Sequence, residues 1–197
     1  MLNGRLAVDA SKGFDRGLVF ARFAAGEAGP WRIERILPVV GESLPLAPRL
    51  EILHDDAPNS DAAAWLLSGT TSNGRYVHRA ELRTLAERQE GLGRSDATCA
   101  ALIPIRKTAA WWDLTQEERR AVFEEQSRHI AIGMDYLPAI ARSLFHCRDL
   151  RGPFDFLTWF EYAPEHSTAF EDLVDRLRGT AEWAFVEREV DIRLIRE

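Results

Sequence analysis

The sequence predicts an α+β protein, and three observations carry that prediction. The closing stretch Phe185 to Leu194 (FVEREVDIRL) alternates Val186, Val190, Ile192 and Leu194 with charged residues, the period-two pattern of a strand with one face against a core. Thr115 and Glu118 form a capping box ahead of RRAVFEEQSRHI, a start signal for a helix. Two apolar runs, Ala139–Arg148 and Phe154–Tyr162, flank a turn at Asp149–Pro153 as neighbouring strands do. Cys99–Arg106 (CAALIPIR) reads as a strand in front of them, and Glu165–Leu177 has helical spacing. The second half therefore runs strand, helix, strand, strand, helix, strand, which is the order of a ferredoxin-like unit.

The first half supplies strands and one helix. Residues 1–16 are rich in Gly and Asp without periodicity, and a frayed end is expected there. Leu18–Ala24 and Trp31–Leu37 read as strands separated by the Gly26 and Gly29-Pro30 turn signals. Pro45–Ser60 holds three prolines and paired aspartates, so most of it is expected to be loop, with a further short strand over Ala62–Thr70. Arg75–Glu90 has helical spacing, with Tyr76, Ala80, Leu82 and Leu85 towards one side and Gly91 and Gly93 as the stop. Pro138 ends or kinks the helical region that precedes the strand pair. Residues 98–197 are expected to form one complete ferredoxin-like unit, with 1–97 as a separate portion ahead of it.

Composition limits the function classes. The net charge is −6 and no basic stripe occurs, which argues against a nucleic-acid partner. The opening MLNGRLAVDASKGFDRG lacks an apolar signal core, and no stretch approaches 18 apolar residues; no membrane partner and a cytoplasmic location are expected. Cys99 and Cys147 form no CxxC or CxxCH pattern, which excludes a c-type haem attachment and a thiolate zinc site; both read as reduced core residues. Six Trp and ten Phe suit ordinary core packing and would equally suit a flat, apolar cofactor.

Among motifs that carry chemistry, HExxH, GxSxG, GxGxxG and the P-loop are all absent. Of the five histidines, His54 and His166 lie in polar surroundings and His78 in a charged helix, while His146 could be a core residue on a strand. His129 alone lies where the buried stripe of Val122, Phe123, Gln126 and Ile130 meets a helix end, with Gly133 close by. Taken on its residues alone, a packed helix-face histidine is the commoner reading and a ligand the alternative. Arg142 interrupts an apolar strand. It is either a sheet-edge ion-pair partner or the cationic wall of a cavity that receives an anion, since an unpaired buried guanidinium is costly.

Several long strings then resemble one family. ALIPIRKTAAWW (101–112), SRHIAIG (127–133), YLPAIARSLFHCRDL (136–150), PFDFLTWFEYAPEH (153–166) and EWAFVEREVDIRL (182–194), with LPVVGESL (37–44) in the shortened first half, are similar to the chlorite dismutases, haem b proteins, and in particular to their short, dimeric branch. The resemblance runs from about Tyr76 to the C-terminus. It implies haem b held by His129 as proximal iron ligand, with Glu182 bonded to that imidazole's other nitrogen. It further implies Arg142 as the distal catalytic arginine, Gln89 as a partner that can hold it, and Lys107, Trp111 and Trp112 along the haem edge and propionates. The implied activity is conversion of chlorite to chloride and O2 by a homodimer. Coproheme decarboxylation and a haem-binding, peroxide-responsive module are the alternatives; the distal arginine and the short first half argue against the decarboxylase.

Overall fold

In the computed structural model the described residues are 19–54 and 63–197, so the expected frayed end over 1–16 lies outside them. Eight strands close into a barrel among these residues. They are β1 (Phe20–Gly26), β2 (Trp31–Val40), β3 (Arg49–His54), β4 (Trp65–Thr71), β5 (Cys99–Lys107), β6 (Ile140–His146), β7 (Phe156–Tyr162) and β8 (Val186–Arg196). Around the barrel the order is β1-β3-β2-β8-β5-β7-β6-β4, with antiparallel pairing throughout. Strands from the first and second halves each stay together in this circle. They are sewn along β2–β8 and, more briefly, along β4–β6, where Thr70 faces His146 and Thr71 faces Phe145. Closure leaves none of the described strands with a free sheet edge to template aggregation.

Side chains alternate across each strand, and this sorts the protein into an inside and an outside. The interior takes Phe23, Leu50, Ala100, Leu102, Phe145, Leu157, Trp159, Val190, Ile192 and Leu194, all buried. Its aromatic rings meet edge to face: Phe23 on Phe145 at 5.3 Å and Trp31 on Trp159 at 5.1 Å, the arrangement that the ring quadrupoles favour. The alternate residues Ala101, Ile103, Phe160 and Tyr162 point outward, onto Phe170, Leu173, Val174 and Leu177 of a long helix. That helix is α5 (Ser167–Arg178); the others are α1 (Arg79–Arg88), α2 (Ala109–Asp113), α3 (Gln116–Arg120) and α4 (His129–Asp135).

The alternation of β8 turns out to separate two buried environments rather than core from water. Glu189, Asp191 and Arg193 on its outer side are as buried as the aliphatic residues opposite. They survive there by pairing: Arg178 donates to Glu189 at 2.9 and 2.6 Å and to Asp191 at 2.9 Å, and Arg193 donates to Asp191 at 2.9 Å. Burial pushes Asp191 up, but the Arg193 and Arg178 guanidinium groups outweigh it and hold the carboxyl below its usual range. Glu189 goes the other way, because burial prevails over its arginine.

Four expectations change at the level of elements. The segment expected to be mostly loop contains β3, because Leu50 and Ile52 alternate with polar residues and both neighbouring strands offer pairing; tertiary pairing overrides a proline-rich context. The helix expected over Arg75–Glu90 forms only from Arg79, since Tyr76 at φ 60° breaks the approach. The capping box at Thr115 is present, yet the helix it starts is not continuous. It passes into a π-helical turn over Ala121–Gln126 and stops at Arg128, which is left-handed at φ 54°, so that His129 begins a new helix. Last, Ser167 rather than Glu165 opens the final helix, after a 3₁₀ turn at Pro164–His166. Replacing Leu102, which is fully buried at the barrel centre, by alanine is expected to cost about 2–5 kcal/mol, read from the urea midpoint at unchanged m-value.

Candidate functional site

The outer face of β5, β7 and β6 is covered only in part, and a cavity lies there beneath α1, α4 and the end of α5. Ile103 and Ile105, Thr158 and Phe160, and Arg142 and Leu144 form its floor, each pair two residues apart on one strand. Val77, Leu85, Gln89, Phe123, His129, Ile130, Trp183 and Glu189 complete the wall, and Asn73 and Arg75 lie at its polar end. The enclosed space is about 80 Å³ and opens to solvent at its mouth; its mainly apolar lining with a few converging polar groups is the character of a small-molecule site.

His129 faces this space from the first position of α4. Its Nδ1 lies 2.6 Å from Glu182 Oε2, and Phe123 stacks on the ring at 4.2 Å and 22°. Glu182 sits in a 3₁₀ turn over Ala181–Phe185 that leads into β8. Its other oxygen takes Lys107 Nζ at 2.6 Å, and its backbone N–H donates to the buried Ser127 Oγ at 2.9 Å. Burial pushes the Glu182 carboxyl up, but the charges of His129 and Lys107 and their hydrogen bonds more than offset this, leaving it at about 2. A carboxylate held ionised beside Nδ1 fixes the proton there and leaves the Nε2 lone pair for a ligand bond.

Arg142 reaches into the same cavity from β6. Its guanidinium packs on Gly133, one helical turn beyond His129; a Cβ there would meet Nη1 at 2.1 Å, so a larger residue would push the flexible guanidinium aside. Burial lowers the pKa of this arginine, and among the described residues the charge that opposes the loss is Glu124's. Gln89 approaches through its amide, which donates to the Arg142 carbonyl at 3.0 Å rather than to the guanidinium; its buried Oε1 has no protein partner.

The other anticipated residues lie away from the cavity wall. Lys107 is buried against Glu182 with its ammonium 4.8 Å from the Trp111 ring and 5.6 Å from Trp183. Trp111 is buried between Tyr76 and Phe185, its Nε1 without a partner. Trp112 lines a second, polar depression with Arg148 and Asp155; it donates to Asp155 at 3.2 Å and carries the Arg148 guanidinium over its face at 3.8 Å. Sequence reasoning missed Asn73, Arg75, Glu124 and Ser127. The Asn-Gly dipeptide at Asn73 signalled a turn, but nothing local to Glu124 or Ser127 marked them.

A family model described as chlorite dismutase matches residues 59–196. The chain belongs to the chlorite dismutase family. A chlorite dismutase from Ideonella dechloratans is 37% identical over 62 residues, which are 32% of this chain and only 20% of that protein's length. The crystal structure of a dimeric chlorite dismutase from Nitrobacter winogradskyi is 60% identical, with a TM-score of 0.83 over 89% of this chain and 99% of that one. The chlorite dismutase of Candidatus Nitrospira defluvii in complex with imidazole superposes at a TM-score of 0.65 over 91% of both chains, at 20% identity; that likeness concerns the fold. Among the described residues, no helix is long and apolar enough to cross a membrane.

The low Glu182 value has a consequence for this chlorite dismutase family member. A carboxyl whose folded pKa lies below its unfolded value, here about 2 against 4.5, adds stability above the unfolded value and loses it as pH falls through the folded one. Glu182→Gln is therefore expected to be less stable at neutral pH, with the gap to the parent narrowing between about pH 5 and pH 2. Urea unfolding across that range checks it, and a gap independent of pH would refute the assignment.

Proposed function

We propose that this protein is a haem b-dependent chlorite dismutase, which converts chlorite to chloride and O2 with His129 as the iron ligand and Arg142 as the catalytic cation. One observation carries the reading: a carboxylate-backed imidazole and a guanidinium that, among the described residues, has no hydrogen-bonding carboxylate share one largely apolar cavity. The residues fit haem. A single neutral imidazole whose partner nitrogen is tied to a carboxylate is the donor expected of an axial ligand, and the buried Gln89 Oε1 awaits a polar partner on the same wall. When bound, haem supplies the redox chemistry.

The chain's own residues have separable tasks. Glu182 holds the Nδ1 proton and strengthens Nε2 as a donor, and His129 together with Lys107 keeps that carboxylate ionised where burial would otherwise protonate it. Arg142 attracts the chlorite anion and retains the chlorine oxyanion released from it, an attraction that the apolar walls strengthen by excluding water. A group held by His129 in this cavity would displace the Arg142 guanidinium, which packs on Gly133. Gln89 steadies the strand carbonyl behind that arginine, while Trp111 packs under the Lys107 ammonium and Trp112 holds Asp155, both away from the cavity. The barrel is read as two ferredoxin-like units, residues 1–97 and 98–197, of which the first is shortened. A homodimer, as in the Nitrobacter winogradskyi relative, and a cytoplasmic location complete the proposal.

Oxygen release on adding chlorite to haem-loaded protein tests the activity. Rapid O2 evolution is expected, and Arg142→Ala should retain the Soret band while turnover falls by about 10²-fold. A normal Soret band without O2 would reject chlorite as substrate, and parental rate and lifetime in the variant would reject Arg142 as the catalytic cation.

A further inference from the structure

The chain immediately before His129 raises a geometric problem. A helix leaves its first amides without intrahelical partners, and a side chain at the N-cap ordinarily accepts from them. The N-cap of α4 is Arg128, which is left-handed and makes no side-chain cap; an arginine carries no acceptor. Those amides are instead satisfied by Glu124, four residues further back. Its Oε2 accepts from Ile130 N at 2.6 Å and its Oε1 from Ala131 N at 3.3 Å. The Glu124 carbonyl accepts from the N–H groups of Ser127 and Arg128, the latter at 2.8 Å. Four backbone amides on either side of His129 thus converge on one residue.

Glu124 can do this because of the π-helical turn it occupies. A π turn carries one extra residue per hydrogen-bonded ring and is often found at functional sites. Here it lies within Ala121–Gln126 together with Phe123, whose ring stacks on His129. Immediately downstream, Ser127 is the residue that accepts the Glu182 N–H. Both partners of the His129 ring, the stacked Phe123 and the bonded Glu182, are therefore placed by the segment that Glu124 clamps. The carboxylate also offsets the positive end of α4 at its first residue, where His129 stands.

We infer that Glu124 is a positioning residue for His129, fixing the direction in which the imidazole presents Nε2 to the cavity by clamping the turn between the π segment and α4. The inference rests on the reading of His129 as haem ligand. Its test uses Glu124→Ala, which removes both side-chain acceptors, beside Glu124→Gln, which keeps an acceptor without the charge. Glu118→Ala, which breaks the capping box of α3 at the far end of the segment, serves as the control for loss of a helix cap as such.

In haem-loaded protein, Glu124→Ala is expected to shift the ferrous iron–histidine stretching band and to release haem about 10-fold faster, with Glu124→Gln in between and Glu118→Ala unchanged in both. In haem-free protein, the downfield Nδ1–H proton resonance of His129 should be lost in Glu124→Ala and kept in Glu118→Ala. A parental band, release rate and Nδ1–H resonance in Glu124→Ala, even with a lowered melting temperature, would overturn the inference and leave Glu124 a helix cap only. Should the alanine variant fail to fold, the glutamine variant decides by the same readings. A parental protein that never acquires a Soret band would overturn the haem reading itself, which no result on the variants alone can do.

Discussion

Three charged or chargeable groups meet where two of them, Lys107 and Glu182, are out of reach of water. Lys107 comes from the end of β5, Glu182 from the turn before β8, and His129 from the start of α4, and Glu182 holds the other two at 2.6 Å each. Taking a carboxylate and an ammonium out of water costs several kcal/mol per ion, and the loss is recovered only if geometry is good and the remaining hydrogen-bonding capacity is filled. Both oxygens of Glu182 are engaged, and its backbone N–H is held by Ser127. Removal of Lys107 or Glu182 would strand a buried charge. That is why the β5–β8 seam, the 3₁₀ turn and the break ahead of α4 have to be where they are: each delivers one member of the group.

The barrel makes this possible by separating stability from chemistry. Residues on one side of β5, β6 and β7 fill an aromatic and aliphatic interior; their alternate neighbours on the same strands form the floor of the cavity. A single change of face therefore distinguishes Phe145, a core residue, from Leu144, a cavity residue. The rigid floor holds Arg142 opposite a helix whose glycine gives its guanidinium room. Beneath α5 the same outer face carries a paired network of Arg178, Glu189, Asp191 and Arg193, so that charge is tolerated there only as neutralised sets.

The first half of the chain fits this division of labour. Its four strands close the barrel through β2–β8 and β4–β6, while the cavity is built mainly from the second half, with α1 and the Asn73–Val77 segment as its lid. The family to which the chain belongs is matched over residues 59–196, the part that holds nearly all of the site.

Much of this was legible in the sequence. Period-two alternation marked β8, apolar runs marked β5, β6 and β7, and the Thr115–Glu118 box marked the start of a helix, because each of these signals is local. The strings around His129, Arg142 and Glu182 carried the family resemblance, and the fold brings His129 against Glu182 and opens one cavity to both His129 and Arg142. What tertiary structure alone decided are matters of long-range pairing. Lys107 and Glu182 are 75 residues apart in sequence, so no window could show that the lysine's charge is used on a carboxylate. β3 exists because two strands flank it, and the helix before His129 breaks because Glu124 can satisfy the freed amides from a π turn. Local pattern determines which elements form and which faces they bury; only the closed barrel determines which buried charges find each other.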